Sequence, residues 1–402
     1  MIERIGIIGA GKLGSPMAAC LASKGFDVVI CDIDPDKVKA INEGRAPVEE
    51  TGLQDLLFAN RERLRATVDI GEAVRFGQIT FVVTATPSGP DDRFSLEYIL
   101  PVCEEIGRTL SKPCEKPAFH TVVITSTVMP GDTWGPIREA LESRSGRKCG
   151  ESFGLCYSPE FIALGSVIRD FLNPDFVLLG ASDPLSEARV SSVYKRISDA
   201  PIAAINIPCA EITKLAINSY ITTKISFANM LLRICGEIPG ANVDVVTGAM
   251  GLDSRIGKKY LKGGVSYGGP CFPRDNRALA TLGQSYPLVI DSFNRAQITW
   301  LAKVVEKNSK GPITVRGLAY KADTSVETES AGNLLLQELW KRAEPVEQDG
   351  TETVVIMLPD PKFKDLDYTG KTVIDCWRFL PELANDPTIR YIPLGIGPCL
   401  EG

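Results

Sequence analysis

Short apolar runs alternate with longer segments of mixed polarity through the first two hundred residues. The runs have the length of buried strands, and the segments between them are long enough for helices. Regular alternation of strand and helix predicts an α/β fold built on a parallel sheet. The predicted strands in this part of the chain are residues 4–8, 27–31, 79–84, 121–125 and 153–157.

A glycine-rich turn separates the first predicted strand from a helix that runs to about residue 24. Gly9, Gly11 and Gly14 have the spacing GxGxxG, and the next strand ends at Asp32. A strand before the motif, a helix after it and an acid about 20 residues further on are typical of a dinucleotide-binding turn. The glycines let a pyrophosphate reach the helix N-terminus, and Asp32 would accept hydrogen bonds from ribose hydroxyls. Because a carboxylate repels a 2′-phosphate, we predict NAD rather than NADP.

Two threonines follow predicted strands of the same sheet. Thr86 comes after the strand at 79–84, and Thr127 comes after the strand at 121–125. Ligands of open α/β sheets bind beyond the carboxyl ends of the strands, so both residues are candidates for cofactor contacts. The alternative is that either threonine caps a helix.

A long helical pattern begins after Pro208. Lys214 and Asn218 are four residues apart within it and therefore share a face of the helix. A buried lysine can stabilise a developing alkoxide, and an amide can hold a water or a hydroxyl group. The alternative for the lysine is an ordinary solvated surface position.

A second glycine-rich stretch, residues 263–275, delivers Cys271 to the start of a predicted helix. A helix start offers free N–H groups and a positive dipole end, which favour a nucleophilic thiolate. Asp275 follows one helical turn later and can face the same site. The alternative is a structural cysteine beside a structural loop.

Composition narrows the class of protein. The chain has 402 residues, enough for two or three domains, with 44% hydrophobic and 23% charged residues. A net charge of −6 argues against a broad nucleic-acid surface, and no apolar run is long enough for a membrane span. The eleven cysteines include no CxxC pair, which argues against a zinc site and favours a reducing compartment. We therefore predict a cytoplasmic protein without a metal site.

The cysteine stretch carries a family resemblance. Its Gly-Gly-Pro-Cys-Phe-Pro-Arg-Asp, residues 268–275, resembles the nucleophile motif of the UDP-glucose/GDP-mannose 6-dehydrogenases. Residues 47–53, Pro-Val-Glu-Glu-Thr-Gly-Leu, and residues 158–165 also resemble motifs of that family. Its members are NAD-dependent and oxidise the primary alcohol of a sugar nucleotide to a carboxylate in two steps. The resemblance covers nearly the whole chain and is strongest up to about residue 300.

The resemblance implies roles for individual residues. It implies that Glu160 handles the catalytic water and substrate, that Cys271 is the nucleophile, and that the helix carrying Lys214 builds a homodimer. The implied catalytic residues are Cys271, Lys214, Asn218, Asp275, Glu160 and Thr127. The implied cofactor contacts add Lys37 and Arg274 to Gly9, Gly11, Gly14, Asp32, Thr86 and Thr127. The implied substrate contacts are Glu160, Phe161, Lys214, Asn218, Arg255, Tyr260, Gly268 and Lys321.

Three departures from the family pattern stand out. Leu164 replaces a second glutamate beside the expected catalytic water, and Thr328 replaces an arginine that approaches the cofactor in the family. The third domain is also shortened, with a strand and its helix replaced by a short polar link at 344–350. The loss of the second glutamate removes a carboxylate that would act in the hydrolytic half of the reaction. The shortened third domain suggests an unusual substrate.

These observations predict three parts: an NAD-binding Rossmann domain at 1–200, a central helical dimerisation domain with the cysteine loop at 201–300, and a shortened Rossmann-like nucleotide-sugar domain at 301–402. The predicted function is NAD-dependent oxidation of the C6 alcohol of a UDP- or GDP-linked sugar to the uronic acid. Three alternatives stay open: a single oxidation to the aldehyde, a β-hydroxyacid-type dehydrogenase, and a non-catalytic protein that binds NAD or a sugar nucleotide. The sequence does not identify the base or the sugar.

Overall fold

The computed structural model describes residues 2–112, 119–309, 311–322, 324–342, 346 and 351–399. Within it the chain forms two compact units, Met1–Lys214 and Leu215–Gly402. The three-part division predicted from the sequence stays a prediction. Of the predicted polar link at 344–350, only Val346 lies within the described residues.

The first unit is built on an eight-stranded sheet with the strand order β3-β2-β1-β4-β5-β6-β7-β8. All neighbouring strands are parallel except β6 and β7, which are antiparallel. The strands are β1 Arg4–Ile8, β2 Asp27–Cys31, β3 Leu64–Thr67, β4 Ile79–Val82, β5 Thr121–Ile124, β6 Gly154–Tyr157, β7 Val177–Ala181 and β8 Ile202–Ile205. The helices are α1 Gly14–Ser23, α2 Pro35–Asn42, α3 Leu53–Ala59, α4 Ile70–Phe76, α5 Ile99–Ser111, α6 Arg138–Ser145, α7 Val167–Leu172 and α8 Pro184–Ile197, with a π-helical turn at Thr133–Ile137. The strands predicted from apolar runs are confirmed to within two residues.

Helices cover both faces of this sheet, as its alternating side chains require. Phe81 and Val123 pack into one buried cluster with residues of α1 and α8. Val82 and Ile124, their neighbours in the chain, pack into another cluster with residues of α5 and α6. Because adjacent residues of a strand point to opposite faces, two apolar faces need two helical layers. The predicted α/β fold is confirmed.

The order of the strands reverses next to β1, whose neighbours are β2 and β4. Such a switch point opens a crevice at the carboxyl ends of the strands, and this is where cofactors bind in folds of this kind. The glycine turn that contains Gly9 follows β1 directly. The fold therefore places the predicted dinucleotide motif at the predicted crevice.

The second unit carries a smaller, fully parallel sheet with the strand order β12-β11-β10-β9. Its strands are β9 Ile313–Arg316, β10 Thr353–Ile356, β11 Thr372–Asp375 and β12 Arg390–Pro393. The helices are α9 Ile207–Glu237, which begins in the first unit, α10 Val243–Met250, α11 Phe272–Ala280, α12 Tyr286–Asn308 and α13 Ala331–Lys341. Short 3₁₀ turns, Pro361–Asp365 and Pro381–Asn385, stand between β10 and β11 and between β11 and β12. The connections after β10 are thus much shorter than the crossover through α13.

One buried cluster ties the helices of the second unit to its sheet. Leu232 of α9, Leu301 of α12 and Leu335 of α13 pack in it with Val355 of β10 and Ile374 of β11. Each of these side chains is at most 1% exposed, so the cluster is a closed core. The long helices and the small sheet of this unit therefore form one packed body.

Candidate active site

The glycine turn of the first unit has the backbone that its sequence predicts. Gly9 has φ +111°, and a Cβ atom there would lie 2.3 Å from the carbonyl oxygen of Val83. A Cβ atom on Gly14 would lie 1.8 Å from the carbonyl oxygen of Gly9, whereas at Gly11 it would meet nothing within 4 Å. Only glycine therefore fits at Gly9 and Gly14, whereas the absence of a side chain at Gly11 leaves the backbone open to a ligand.

Asp32 is fixed beside this turn at the end of β2. Its Oδ2 atom accepts a hydrogen bond of 2.6 Å from the Ala10 N–H, and its Oδ1 atom accepts one of 3.0 Å from the Asp34 N–H. The Lys37 ammonium lies 3.7 Å from Oδ1. The carboxylate is therefore held next to the glycine turn, where it can accept from a ribose and oppose a 2′-phosphate. These residues fit NAD.

Thr86 and Thr127 connect two strand-end loops. The hydroxyl of Thr86 donates a hydrogen bond of 2.6 Å to the carbonyl oxygen of Thr127. The next helical elements begin at Ile99 and Thr133, so neither threonine caps a helix. The helix-cap alternative is wrong for both residues, and their predicted contacts with the cofactor stay predictions.

Glu211 holds the loop after β5, a role that the sequence analysis did not predict. Its carboxylate accepts hydrogen bonds from the N–H groups of Gly131, at 2.7 Å, and Thr133, at 2.8 Å. Burial raises the pKa of Glu211 in spite of these bonds. The position of Glu211 three residues before Lys214 was the one hint in the sequence. Its hydrogen-bond partners lie about 80 residues away in the chain, so the sequence did not reveal them.

Glu160 is the centre of a polar cluster in the first unit. The phenol of Tyr194 donates a hydrogen bond of 2.9 Å to its Oε1 atom, and Ser158 Oγ lies 3.0 Å from that phenol. The Lys214 ammonium donates a hydrogen bond of 2.7 Å to the Glu160 carbonyl oxygen and lies 4.5 Å from the centre of the Phe161 ring. The structure therefore brings together three predicted residues, Glu160, Phe161 and Lys214.

Burial dominates the acidity of Glu160. It raises the pKa of this carboxyl to about 7, against the opposing effects of the Tyr194 hydrogen bond and the Lys214 charge. A carboxyl that titrates near neutral pH can both accept and return a proton in one reaction cycle. Tyr194 was missed by sequence reasoning, because a tyrosine on the buried face of α8 carries no local signal.

Glu50 supports the loop that contains Leu164. Its carboxylate accepts hydrogen bonds of 2.9 Å from the N–H groups of both Gly165 and Val167. Glu50 belongs to segment 47–53, which resembles a family motif. Through Glu50, this segment fixes the backbone of the loop at 164–167. Leu164 is half-buried at the position where the family has its second glutamate.

The second unit contains a separate cluster around the cysteine. Cys271 is exposed and stands at the N-cap of α11, as predicted. Asp275, one turn later, is 1% exposed, and its Oδ2 atom accepts a hydrogen bond of 2.6 Å from the Asn218 amide. Arg274 Nε lies 3.5 Å from the other carboxylate oxygen. The helix start thus presents a thiol above a buried carboxylate–amide pair.

The backbone of the cysteine loop is held by three side-chain amides on two helices. Asn229 of α9 accepts from the Gly264 N–H and donates to the Val265 carbonyl. Asn294 of α12 makes the same pair of bonds with the N–H and carbonyl of Tyr267. Gln297 of α12 donates to the carbonyl of Gly264. These three amides therefore fix the path of the loop before Cys271.

Three further residues predicted to bind the substrate, Arg255, Tyr260 and Lys321, lie at exposed positions or beside a cavity of the second unit. Arg255 is highly exposed and forms an ion pair with Asp253 within its own loop. Tyr260 is exposed and has φ +64°. Lys321 borders a cavity of about 460 Å³ beyond β9 and β10, together with Lys362. The predicted substrate contacts of Arg255 and Tyr260 stay predictions.

The described residues contain neither a metal-binding cluster nor a membrane-spanning helix. Within those ranges, no group of three or more His, Cys, Asp and Glu side chains could hold a metal ion. In the same part of the chain, no helix is both long and apolar enough to cross a bilayer.

Comparison with known proteins agrees with this geometry. Residues 3–198 match the NAD-binding domain of the UDP-glucose/GDP-mannose dehydrogenase family, and residues 209–298 match its central domain. UDP-glucose 6-dehydrogenase AglM of Haloferax volcanii is 34% identical over 380 residues, which are 90% of this chain and 86% of that protein. GDP-mannose 6-dehydrogenase of Pseudomonas putida is 35% identical over 340 residues, or 81% and 76% of the two chains.

Solved structures give the same picture over a longer span. A UDP-glucose dehydrogenase from the hyperthermophilic archaeon Pyrobaculum islandicum has a TM-score of 0.85 and 29% identity, and the match covers 98% of both chains. A ternary complex of a Pseudomonas aeruginosa GDP-mannose dehydrogenase has a TM-score of 0.59 and 26% identity, with 96% and 99% of the chains covered.

Proposed function

Because this chain belongs to the UDP-glucose/GDP-mannose dehydrogenase family, we propose that it is a nucleotide-sugar 6-dehydrogenase of the class EC 1.1.1.-. The enzyme oxidises the C6 primary alcohol of a UDP- or GDP-linked sugar to the carboxylate. The observation that carries the proposal is the exposed Cys271 at the start of α11 with Asp275 buried one turn below it. A simple alcohol dehydrogenase has no use for a nucleophilic thiol, whereas a thiol that adds to an aldehyde makes an alcohol again, from which a second hydride can leave.

NAD, when bound, would supply the hydride acceptor for each oxidation, so that the two oxidations would consume two NAD. Gly9, Gly11, Gly14 and Asp32 are the residues that would hold it, for the reasons of backbone space and charge given above. We assign contacts at the adenosine end to Lys37, and further contacts to Thr86, Thr127 and Arg274, on the family resemblance. The carboxylate of Asp32 favours NAD over NADP.

The first oxidation needs a group that removes the hydroxyl proton and stabilises the oxygen. We assign this work to Lys214, Asn218 and Asp275, acting through an ordered water. Lys214 is 9% exposed and Asn218 is 8% exposed, so the charge and the amide dipole are both poorly solvated. Interactions of this kind are stronger away from water.

The second oxidation passes through the cysteine. The Cys271 sulfur adds to the aldehyde carbon, and the carbonyl oxygen takes a proton to give a thiohemiacetal. The thiohemiacetal then loses a hydride, for which a second NAD would be the acceptor, and loses its hydroxyl proton to the base of the first oxidation, which leaves a thioester. Water then attacks the thioester carbon, the C–S bond breaks, and the thiolate departs as the acid forms. Glu160 or Asp275 accepts the proton of that water, and the raised pKa of Glu160 suits it to the task.

The remaining family contacts complete the proposal. The cavity that Lys321 and Lys362 border suits an anionic nucleotide, and Phe161, Gly268, Arg255 and Tyr260 are assigned to the sugar nucleotide by resemblance. The chain is proposed to act as a homodimer in the cytoplasm.

The test is the amount of NADH formed per sugar consumed, measured with a panel of UDP- and GDP-sugars. We expect two NADH per sugar for the parent, and no uronic acid from Cys271→Ser. Cys209→Ser is the matched control, because Cys209 is also exposed, and it should behave as the parent. One NADH per sugar in the parent would instead favour the single-oxidation alternative, which the replacement of a glutamate by Leu164 suggests.

A further inference from the structure

The C-terminal part of the second unit contacts the cysteine loop through a segment that includes Thr328 and Glu329. The Gly269 N–H donates a hydrogen bond of 2.9 Å to the Thr328 carbonyl. A Cβ atom on Gly268 would lie 2.2 Å from the Glu329 carbonyl oxygen. The loop therefore lies directly on the backbone of these two residues, immediately before Cys271.

The side chain of Glu329 contacts the helix that Cys271 begins. Its Oε1 atom lies 2.7 Å from Nη2 of Arg277 on α11, and its Oε2 atom accepts a bond of 3.2 Å from Nη1. Arg295 of α12 approaches the same carboxylate at 3.8 Å. The paired bonds form a two-point contact, which fixes direction as well as distance. Glu329 is about one-third exposed and Arg277 less, so the contact is partly shielded from water.

The backbone of Glu329 is itself unusual. Its φ is +45°, in the left-handed region that residues with a side chain seldom occupy. Such a conformation is kept only where the surroundings enforce it, and it often marks a functional requirement. Here the enforcing contacts are the Arg277 pair on one side and the glycine loop on the other.

We propose that Glu329 is a positioning residue for Cys271, holding loop 263–271 and α11 in one arrangement. Its backbone limits where the loop can lie, and its carboxylate fixes the helix through Arg277. The inference rests on the proposed function in one respect, that Cys271 is the nucleophile. The segment around Glu329 would thus position the cysteine loop, in addition to the nucleotide binding proposed for the C-terminal part of the chain.

The proposal is tested on the full-length protein with Glu329→Gln, Glu329→Gly and Arg277→Gln. Hydrogen–deuterium exchange of residues 263–275 should be at least about fivefold faster in all three. Glycine adopts this backbone conformation without strain but lacks the carboxylate, so faster exchange in Glu329→Gly would assign the effect to the lost contact with Arg277 and not to strain. Glu327→Gln is the matched control, since Glu327 contacts Asn333 rather than the loop, and it should exchange at the parent rate.

Steady-state kinetics supply the second measurement. We expect kcat to fall at least about tenfold in the three variants while the KM for NAD stays within about twofold. Parent-like exchange in the loop, or a parent-like kcat for Glu329→Gly, would overturn the positioning role. If the parent turns over no sugar nucleotide, the proposed function fails, and the exchange rates still decide the role of Glu329.

Discussion

Gly268 shows at the residue scale how little freedom the cysteine loop has. A methyl group there would press on a backbone carbonyl, which cannot rotate away as a side chain would. We expect Gly268→Ala to lower the free energy of unfolding by about 2 kcal/mol or more. Gly248→Ala is the control, because a Cβ atom at Gly248 in α10 meets nothing within 4 Å. It should stabilise the protein by roughly 0.5–1 kcal/mol in urea unfolding; equal stability of the two variants would contradict the expectation.

Glu160 predicts a pH dependence. Its pKa of about 7 means that the carboxyl is protonated below neutral pH and becomes a carboxylate as the pH rises. If the carboxylate accepts the proton of the hydrolytic water, the rate of uronic acid formation rises through pH 7. Glu160→Gln should lower kcat by about 10²–10⁴-fold and remove that rise in a pH–rate profile. An unchanged profile in Glu160→Gln would assign the titration to another group.

Tyr194 gives an independent check of the same group. Its hydrogen bond lowers the pKa of Glu160, so Tyr194→Phe should move the rising limb of the profile to higher pH. Tyr368→Phe is a matched control, since both tyrosines are 4% exposed and Tyr368 also donates one hydrogen bond, to the Phe363 carbonyl. If the rising limb of the pH–rate profile shifts by the same amount in Tyr194→Phe and Tyr368→Phe, the shift is not a specific effect of the Tyr194 hydrogen bond.

At the scale of elements, α9 and α12 act as the support of the cysteine loop. Asn229 satisfies both a buried N–H and a buried carbonyl of the loop. Asn229→Ala leaves both groups without that partner, so we expect a loss of about 2–4 kcal/mol in the free energy of unfolding of the second unit. Asn333→Ala, which removes a bond at an exposed site, should cost less than about 0.5 kcal/mol. Urea unfolding followed by circular dichroism measures both, and equal losses would show that the loop does not depend on Asn229.

Elements with a local signature were predictable from the sequence, and contacts between distant segments were not. Apolar runs located the strands, and the position of Cys271 at a helix start followed from the residues around it. The bonds from Glu50 to Gly165 and from Arg277 to Glu329 join segments 115 and 52 residues apart, which no local pattern encodes. The antiparallel pairing of β6 and β7 was missed for the same reason, because strand composition does not record direction.

The sequence also carried information that only a family resemblance could extract. A lysine and an asparagine four residues apart are common on any helix, and neither residue reveals its partner. The structure gives Lys214 the Glu160 carbonyl and gives Asn218 the Asp275 carboxylate. Residue type therefore suggested chemistry, while the choice of partner depended on the packing of the whole chain.

At the scale of the whole molecule, α9 carries an apolar stripe that the described residues leave exposed. Tyr220, Phe227 and Ile234 recur every seven residues and are 66%, 45% and 43% exposed. Large apolar side chains in a continuous row are typical of a protein interface. We expect Phe227→Arg to convert the proposed dimer into a monomer in size-exclusion chromatography with light scattering. Leu185→Arg, at a similarly exposed apolar residue of α8, should leave the dimer intact; a dimer that survives Phe227→Arg would show that the interface lies elsewhere.

The order of the strands along the chain has a consequence for biosynthesis. All eight strands of the first sheet, with the glycine turn and Asp32, are encoded before residue 206, whereas Cys271 is encoded later. Domains generally fold as units in the order in which the ribosome releases them. The first unit, with its dinucleotide motif, can therefore acquire its shape while Cys271 is still untranslated or inside the exit tunnel. The cysteine loop would then leave the ribosome after the first unit has folded.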